Sequence, residues 1–282
     1  MKLSHPKADI YAPDGSDPDI ALARTTHLCV LAHQDDIEIN AYPAVAECHG
    51  KADSFLTGVT VTNGAGSSRV GPFADHTDAQ MQTVRAEEQR EAARLGQYNL
   101  QLQLGYASAD VKRAGQPDVL ADLIAIFSAC HPQVVYLHQP LDKHDTHVAV
   151  LLRCIEAIRA LPMDQRPTKV LGVEAWRGLD WLLDDEKIAL DCSKHPELAM
   201  KLMQVFASQI AGGKRYDIAA LGRRQANATF HTAHATDEFT EVAWALDLTP
   251  LVTDDKLSVA EFAEARVNRL RVDVAARLAK LS

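Results

Sequence analysis

Two short apolar runs in this chain each end on a cluster of histidine and aspartate. The first is LCVLAHQDDIEINAY, residues 28–42, where Leu28 to Ala32 runs straight into His33-Gln34-Asp35-Asp36. The second is HQPLDKHDTHVAV, residues 138–150, which follows Val134 to Leu137 and offers Asp142, His144, Asp145 and His147. Apolar runs of this length fit strands buried on both faces. Two adjacent carboxylates at the end of such a strand repel each other unless a strong positive charge lies close by. A divalent metal supplies that charge. Zinc takes imidazole nitrogen and carboxylate oxygen, and a catalytic site keeps one position for water. One carboxylate can then bind the metal while its neighbour is left to take the proton of a water whose pKa falls towards about 7.

The rest of the pattern alternates strands with helices. Strands are expected at 26–32, 55–63, 100–106, 133–139 and 168–176, and helices at 37–49, 77–96, 118–130 and 145–161. Thr77 or Asp78 caps the helix over 77–96 and Gly96 closes it. Strands separated by helices of 10–18 residues imply βαβ units and a largely parallel sheet. In such sheets ligands sit outside the carboxyl ends of the strands, where both clusters lie. Beyond residue 180 the pattern weakens to a strand at 188–193 and amphipathic helices at 196–210 and 259–281. The expected organisation is an irregular lead-in arm over 1–25, a core over 26–180 and a C-terminal α+β extension over 181–282.

Composition narrows the function. A net charge of −9 argues against nucleic acid, whose binding needs clustered Lys and Arg. No run approaches 18 apolar residues, so no membrane span is expected, and the N-terminus has no apolar core of a secretory signal. Five cysteines without a CxxC read as reduced core thiols of a cytoplasmic protein. NGAG at 63–66 lacks the spacing of a nucleotide-phosphate loop. The Gly-rich segment 208–230 carries Lys214, Arg215, Arg223 and Arg224. It reads as a solvated loop or subunit contact, or else as a flap whose cations meet an anionic substrate group.

AHQDDIE (32–38) resembles the AHPDDE motif of the PIG-L/LmbE family of metal-dependent N-deacetylases, and HDTH (144–147) resembles that family's HPDH motif. VTVTNGAGSS through VRAEEQREAARLG (59–96) is similar to a third family segment, and the resemblance spans roughly residues 25–160. It implies a Rossmann-like α/β fold, with a mostly parallel sheet flanked by helices. It implies His33, Asp36 and His147 as metal ligands, Asp35 as general base, and His144 as the group that stabilises the oxyanion in its protonated form or protonates the amine. Arg85 matches a family arginine that binds the sugar part of the substrate. The implied cofactor is zinc, with ferrous iron as the competitor, and the implied partner is a small N-acylated, sugar-like substrate. A homo-oligomer is compatible with this reading.

Three positions depart from the family pattern. Gln34 replaces Pro, which lets a side chain there face substrate. Asp145-Thr146 replaces Pro-Asp, so either Asp142 or Asp145 must supply the carboxylate behind the ligands. Ser108 stands near the place of a family Asp after the third strand. His138 reads as a structural strand-end residue. The competing functions are an amidase acting on a non-sugar or thiol-conjugate amide and a non-catalytic metal- or sugar-binding protein.

Overall fold

A computed structural model describes the whole chain, Met1 to Ser282. The β-branched and leucine-rich runs form eight strands: β1 (Asp9–Tyr11), β2 (His27–Leu31), β3 (Leu56–Thr62), β4 (Leu100–Tyr106), β5 (Val134–His138), β6 (Val170–Val173), β7 (Lys187–Asp191) and β8 (Val242–Asp247). They make one sheet in the order β1-β4-β3-β2-β5-β6-β8-β7. Strands β2 to β6 pair in parallel, β1 is antiparallel to β4, and β8 is antiparallel to both β6 and β7.

The helices are α1 (Pro18–Ala23), α2 (Asp36–Asn40), α3 (Tyr42–Cys48), α4 (Asp78–Gly96), α5 (Ser108–Lys112), α6 (Pro117–Ala129), α7 (Asp145–Arg159), α8 (Pro196–Val205), α9 (Ala207–Ala211), α10 (Tyr216–Phe230), α11 (Pro250–Thr253) and α12 (Val259–Leu281). None is long and apolar enough to cross a membrane. Two apolar clusters cover the two faces of the sheet. Leu28, Val30 and Ala32 feed one, while Cys29 and Leu31 feed the other. This is the two-residue alternation of a strand covered on both sides.

The order reverses beside β2. The chain first moves outward through β3 and β4, then returns to place β5 on the other side of β2. Adjacent parallel strands whose connections leave in opposite directions open a crevice at their carboxyl ends. The clusters at 33–36 and 142–147 follow those two strands.

Several expectations need correction. The arm at 1–25 holds an edge strand and a helix, and Asp9 of β1 pairs in register with Gln103. The helix expected over 37–49 breaks at Ala41 (φ −120°, ψ 25°), because Pro43 opens a new helix and lacks the N–H that would continue the old one. Thr77 caps α4 in a reciprocal box with Gln80, and Gln97 rather than Gly96 takes the left-handed position at its end, with φ 56°. The helix expected over 196–210 breaks at Phe206. Strand β8 was not anticipated: its VAWALD run contains two alanines, which are poor strand formers. Segment 208–230 contains a 15-residue helix, α10, rather than a loop.

Candidate metal and catalytic site

The end of β2 and the end of β5 are tied by a histidine. His138 Nε2 accepts the backbone N–H of Ala32 at 2.9 Å, and its ring stacks on His147 with centroids 3.8 Å apart. Its Nδ1 is buried without a partner. Burial and the neighbouring His147 hold its pKa well below the ordinary histidine value, so it stays neutral.

Three donor atoms converge beside it. His33 Nδ1 lies 3.1 Å from His147 Nε2 and 3.2 Å from Asp36 Oδ2, and His147 Nε2 lies 3.4 Å from Asp36 Oδ2. Tetrahedral zinc bonds of about 2.0–2.1 Å place neighbouring ligand atoms roughly 3.3 Å apart. The triangle therefore fits one face of a zinc tetrahedron. Two wider candidate groupings also exist, His33–His144–His147 and Asp36–His138–His147. In the second, Nε2 of His138 is already committed to Ala32, so the close triangle is the better cage.

Two of the corners, Asp36 and His147, are held from behind. Asp36 Oδ1 accepts from Asn40 Nδ2 at 3.1 Å, while Oδ2 accepts from the His33 backbone N–H at 2.7 Å. Burial raises the Asp36 pKa, but His147 and His33 pull it down further, to well below the carboxylate range. Asp142 Oδ2 lies 3.1 Å from His147 Nδ1 and fixes the ring with Nε2 towards the triangle. Its Oδ1 accepts from His144 N at 3.2 Å. Of the two carboxylates considered for this place, the structure puts Asp142 there. Asp145 is exposed in the first turn of α7, where negative charge suits the helix dipole. Since such supports are typically worth 10–100-fold in metal affinity, Asp142→Asn is expected to weaken zinc binding by about that factor in a competition titration against a chelator.

Asp35 is positioned by strain and by an ion pair. Its backbone is left-handed, with φ 89°, and its N–H donates to Gln89 Oε1 at 3.1 Å. Such a conformation costs on the order of 1–3 kcal/mol and persists only where the surroundings hold it. Asp35 Oδ2 accepts from Arg85 Nη2 at 2.9 Å. Burial raises the Asp35 pKa to about 6, against the pull of Arg85 and with a push from Asp36. A cation on the triangle would draw it down again.

His144 is the N-cap of α7. Its Nδ1 accepts from Thr146 N at 3.3 Å, which leaves Nε2 to carry the proton of the neutral ring. Burial and His147 lower its pKa, so the neutral form is favoured. Its role as a protonated group is thus less natural here than that of a neutral N–H donor.

Of the two expected substrate contacts, Gln34 and Arg85, only Arg85 borders the cavity. Gln34 is 1% exposed and donates from Nε2 to Thr62 O at 3.1 Å and Gln103 Oε1 at 3.2 Å, turned away from the cavity. Arg85 borders the cavity but is also 1% exposed. Beyond Asp35, its guanidinium donates to Glu88 Oε2 at 2.9 Å and to the carbonyl of Gln34. The Asp35–Arg85 pair carries no sequence signal, because 50 residues separate the partners. The same holds for Gln89 beneath Asp35.

Above these groups opens a cavity of about 450 Å³. Its floor holds His33, Asp35, Asp36 and His144, and Gly64 forms part of its wall. Gly64 has φ +71°, and a Cβ there would lie 2.7 Å from Gln34 Oε1 and 2.9 Å from Arg85 Cβ. Left-handed backbone alone costs an L-residue about 1–2 kcal/mol. Gly64→Ala is therefore expected to lose at least about 1–2 kcal/mol in urea unfolding and to disturb the Arg85–Asp35 pair.

Residues 28–158 match the family model PIG-L, described as GlcNAc-PI de-N-acetylase. No curated protein sequence matches the chain significantly. Among solved structures, the chain resembles N,N'-diacetylchitobiose deacetylase from Pyrococcus horikoshii, at 14% identity and TM-score 0.62, over 82% of this chain and 86% of that one. It resembles GalB, the 4-carboxy-2-hydroxymuconate hydratase of Pseudomonas putida KT2440, at 19% identity and TM-score 0.59, over 82% and 98%. It also resembles Dbv21, the A40926 pseudoaglycone deacetylase, at 17% identity and TM-score 0.55, over 79% and 97%. At these identities the likeness is one of fold.

Proposed function

We propose that the protein is a metal-dependent hydrolase that removes an N-acetyl or other N-acyl group from an amino sugar or small conjugate, a reading supported by the match of residues 28–158 to the PIG-L family model. The observation that carries this is the triangle of His33 Nδ1, Asp36 Oδ2 and His147 Nε2, with edges of 3.1–3.4 Å, beside a second carboxylate, Asp35. We take the metal to be zinc, with ferrous iron as the competitor. A divalent ion held there would polarise the amide carbonyl and make a water acidic enough to ionise near neutral pH.

The side chains then divide the work. Asp35, aimed by Arg85 and by its left-handed backbone, takes the proton of the attacking water. In this reading Arg85 positions the base rather than the sugar. The N–H at Nε2 of neutral His144 donates to the carbonyl oxygen as negative charge gathers on it; donors of this kind are worth about 10²–10³ in rate. The proton held by Asp35 passes to the departing nitrogen, so that free acid and free amine leave. Asp142 keeps the His147 ring in the tautomer that presents Nε2.

The strand order β4-β3-β2-β5-β6 supports a Rossmann-like core over 26–180. The arm at 1–25 and the segment 181–282 extend that core, because β1 joins one edge of the sheet and β7 and β8 join the other. Five buried, unpaired cysteines support a cytoplasmic location. Metal analysis of the purified protein, followed by assay of N-acetylated sugars and conjugates for free amine, tests the reading. One equivalent of metal and amine release are expected; metal without amine release across a broad N-acyl panel would point to a binding protein.

A second reading, addition of water to an unsaturated acid, is favoured by two cations at the cavity mouth that have no carboxylate partner, Lys214 and Arg223. Loss of a conjugated acid's absorbance without amine release would select it.

A further inference from the structure

One wall of the cavity comes from a segment outside the family-matched region. Along α10, Tyr216, Ala219, Ala220 and Arg223 all border the cavity. Their spacing of three, four and seven puts them on one helix face. The two alanines leave room, and the polar residues sit at the ends of the stripe. Lys214, just before the helix, borders the same space.

Four cations lie in this segment, and two are already satisfied. Arg215 pairs with Asp217 at 2.9 Å. Arg224 is buried, donates to the carbonyls of Glu38 and Ile39, and lies over the Tyr42 ring. The other two, Lys214 and Arg223, are the pair that borders the cavity, and neither forms a salt bridge. Arg223 is fixed by one bond from Nη1 to the Ala175 carbonyl, which leaves its other N–H groups free. Glu174, the buried carboxylate that feels its charge, is instead bonded to Asn227 and to the Trp244 backbone. Lys214 Nζ sits 5.3 Å over the Trp176 ring, and Trp176 in turn stacks near His144 with centroids 6.3 Å apart. That tryptophan wall therefore runs from the catalytic floor to a cationic rim. In a chain of net charge −9, two cations without carboxylate partners at one cavity mouth are available to an anion from outside.

We propose that Lys214 and Arg223 form a subsite for an anionic group, a carboxylate or a phosphate, carried by the substrate away from the bond that is cut. This rests on the hydrolase reading of the cavity floor. It narrows the substrate class to acidic N-acylated compounds.

The test uses three probes: N-acetylglucosamine, its 6-phosphate, and N-acetylmuramic acid, which bears a carboxylate. Each is titrated calorimetrically into metal-loaded protein, and each is assayed for free amine. The variants are Lys214→Gln with Arg223→Gln together, and Lys280→Gln as a charge control on the distant end of α12. At least one anionic probe is expected to bind tenfold or more tighter than the neutral sugar. That preference should shrink as salt rises, fall to about twofold or less in the double variant, and persist in the control. The two acidic probes separate carboxylate from phosphate. Equal affinity for neutral and acidic probes, or a preference that survives the double variant, overturns the subsite. A cation-dependent preference with no amine release from these probes or from the broad N-acyl panel would leave the subsite standing and remove the deacetylase reading. Amine release at equal kcat/KM from all three, with equal affinities, would do the reverse.

Discussion

Asp35→Asn is expected to lower turnover by about 10²–10⁴-fold, the usual worth of a positioned general base, while the protein keeps its metal. Asn is close in size and tolerates left-handed backbone, so the φ of 89° at this position does not become a new source of strain. Its side-chain oxygen can still accept from Arg85 Nη2. What it cannot do is accept a proton from water and hand it on. None of the three atoms in the metal triangle belongs to Asp35, so metal content measured by plasma emission should stay near that of the parent protein. Turnover within about threefold of the parent would show that the base lies elsewhere.

His147→Ala is expected to abolish both metal binding and activity. It removes one corner of the triangle and the ring that the buried Asp142 holds at 3.1 Å. Burial of Asp142 then goes uncompensated; removing one partner of a buried pair typically costs about 3–5 kcal/mol. Two measurements separate the effects. Thermal unfolding of the parent protein should fall on adding a strong chelator, because a ligand that binds only the folded state stabilises it. The variant should unfold at a lower temperature and show no chelator response. A variant that retains one equivalent of metal would remove His147 from the ligand set.

The parallel core of the sheet, β2 to β6, and the positions of both clusters were legible in the sequence because both signals are local. An apolar run followed by a polar cluster marks a strand end, and alternating helices force the strands to be parallel. The reversal of strand order beside β2 then brings residues 33–36 and 142–147 together, as two motifs of matching form imply. What stayed hidden depends on contacts between distant segments. Gln34 offered a side chain where the family has proline, but only the packed sheet shows that its amide is taken by Thr62 and Gln103. The resemblance assigns Arg85 to the sugar, and nothing in sequence joins it to Asp35, 50 residues away. The choice between Asp142 and Asp145 turns on which carboxylate reaches His147 Nδ1: Asp142 does, at 3.1 Å, while Asp145 is exposed in the first turn of α7. The α10 wall was missed for a different reason: the segment opens on Gly212-Gly213 and carries four cations, a composition that reads as a loop, although its buried positions Ala220, Arg224 and Ala228 keep the helical spacing of four.

The most direct test is diffraction from metal-loaded crystals, with anomalous maps at the zinc and iron edges. The account predicts a single strong peak about 2.0–2.2 Å from His33 Nδ1, Asp36 Oδ2 and His147 Nε2, with His138 still bonded to the Ala32 N–H. A peak ligated by His138 in place of His33, or no peak between these atoms in fully loaded crystals, would contradict it.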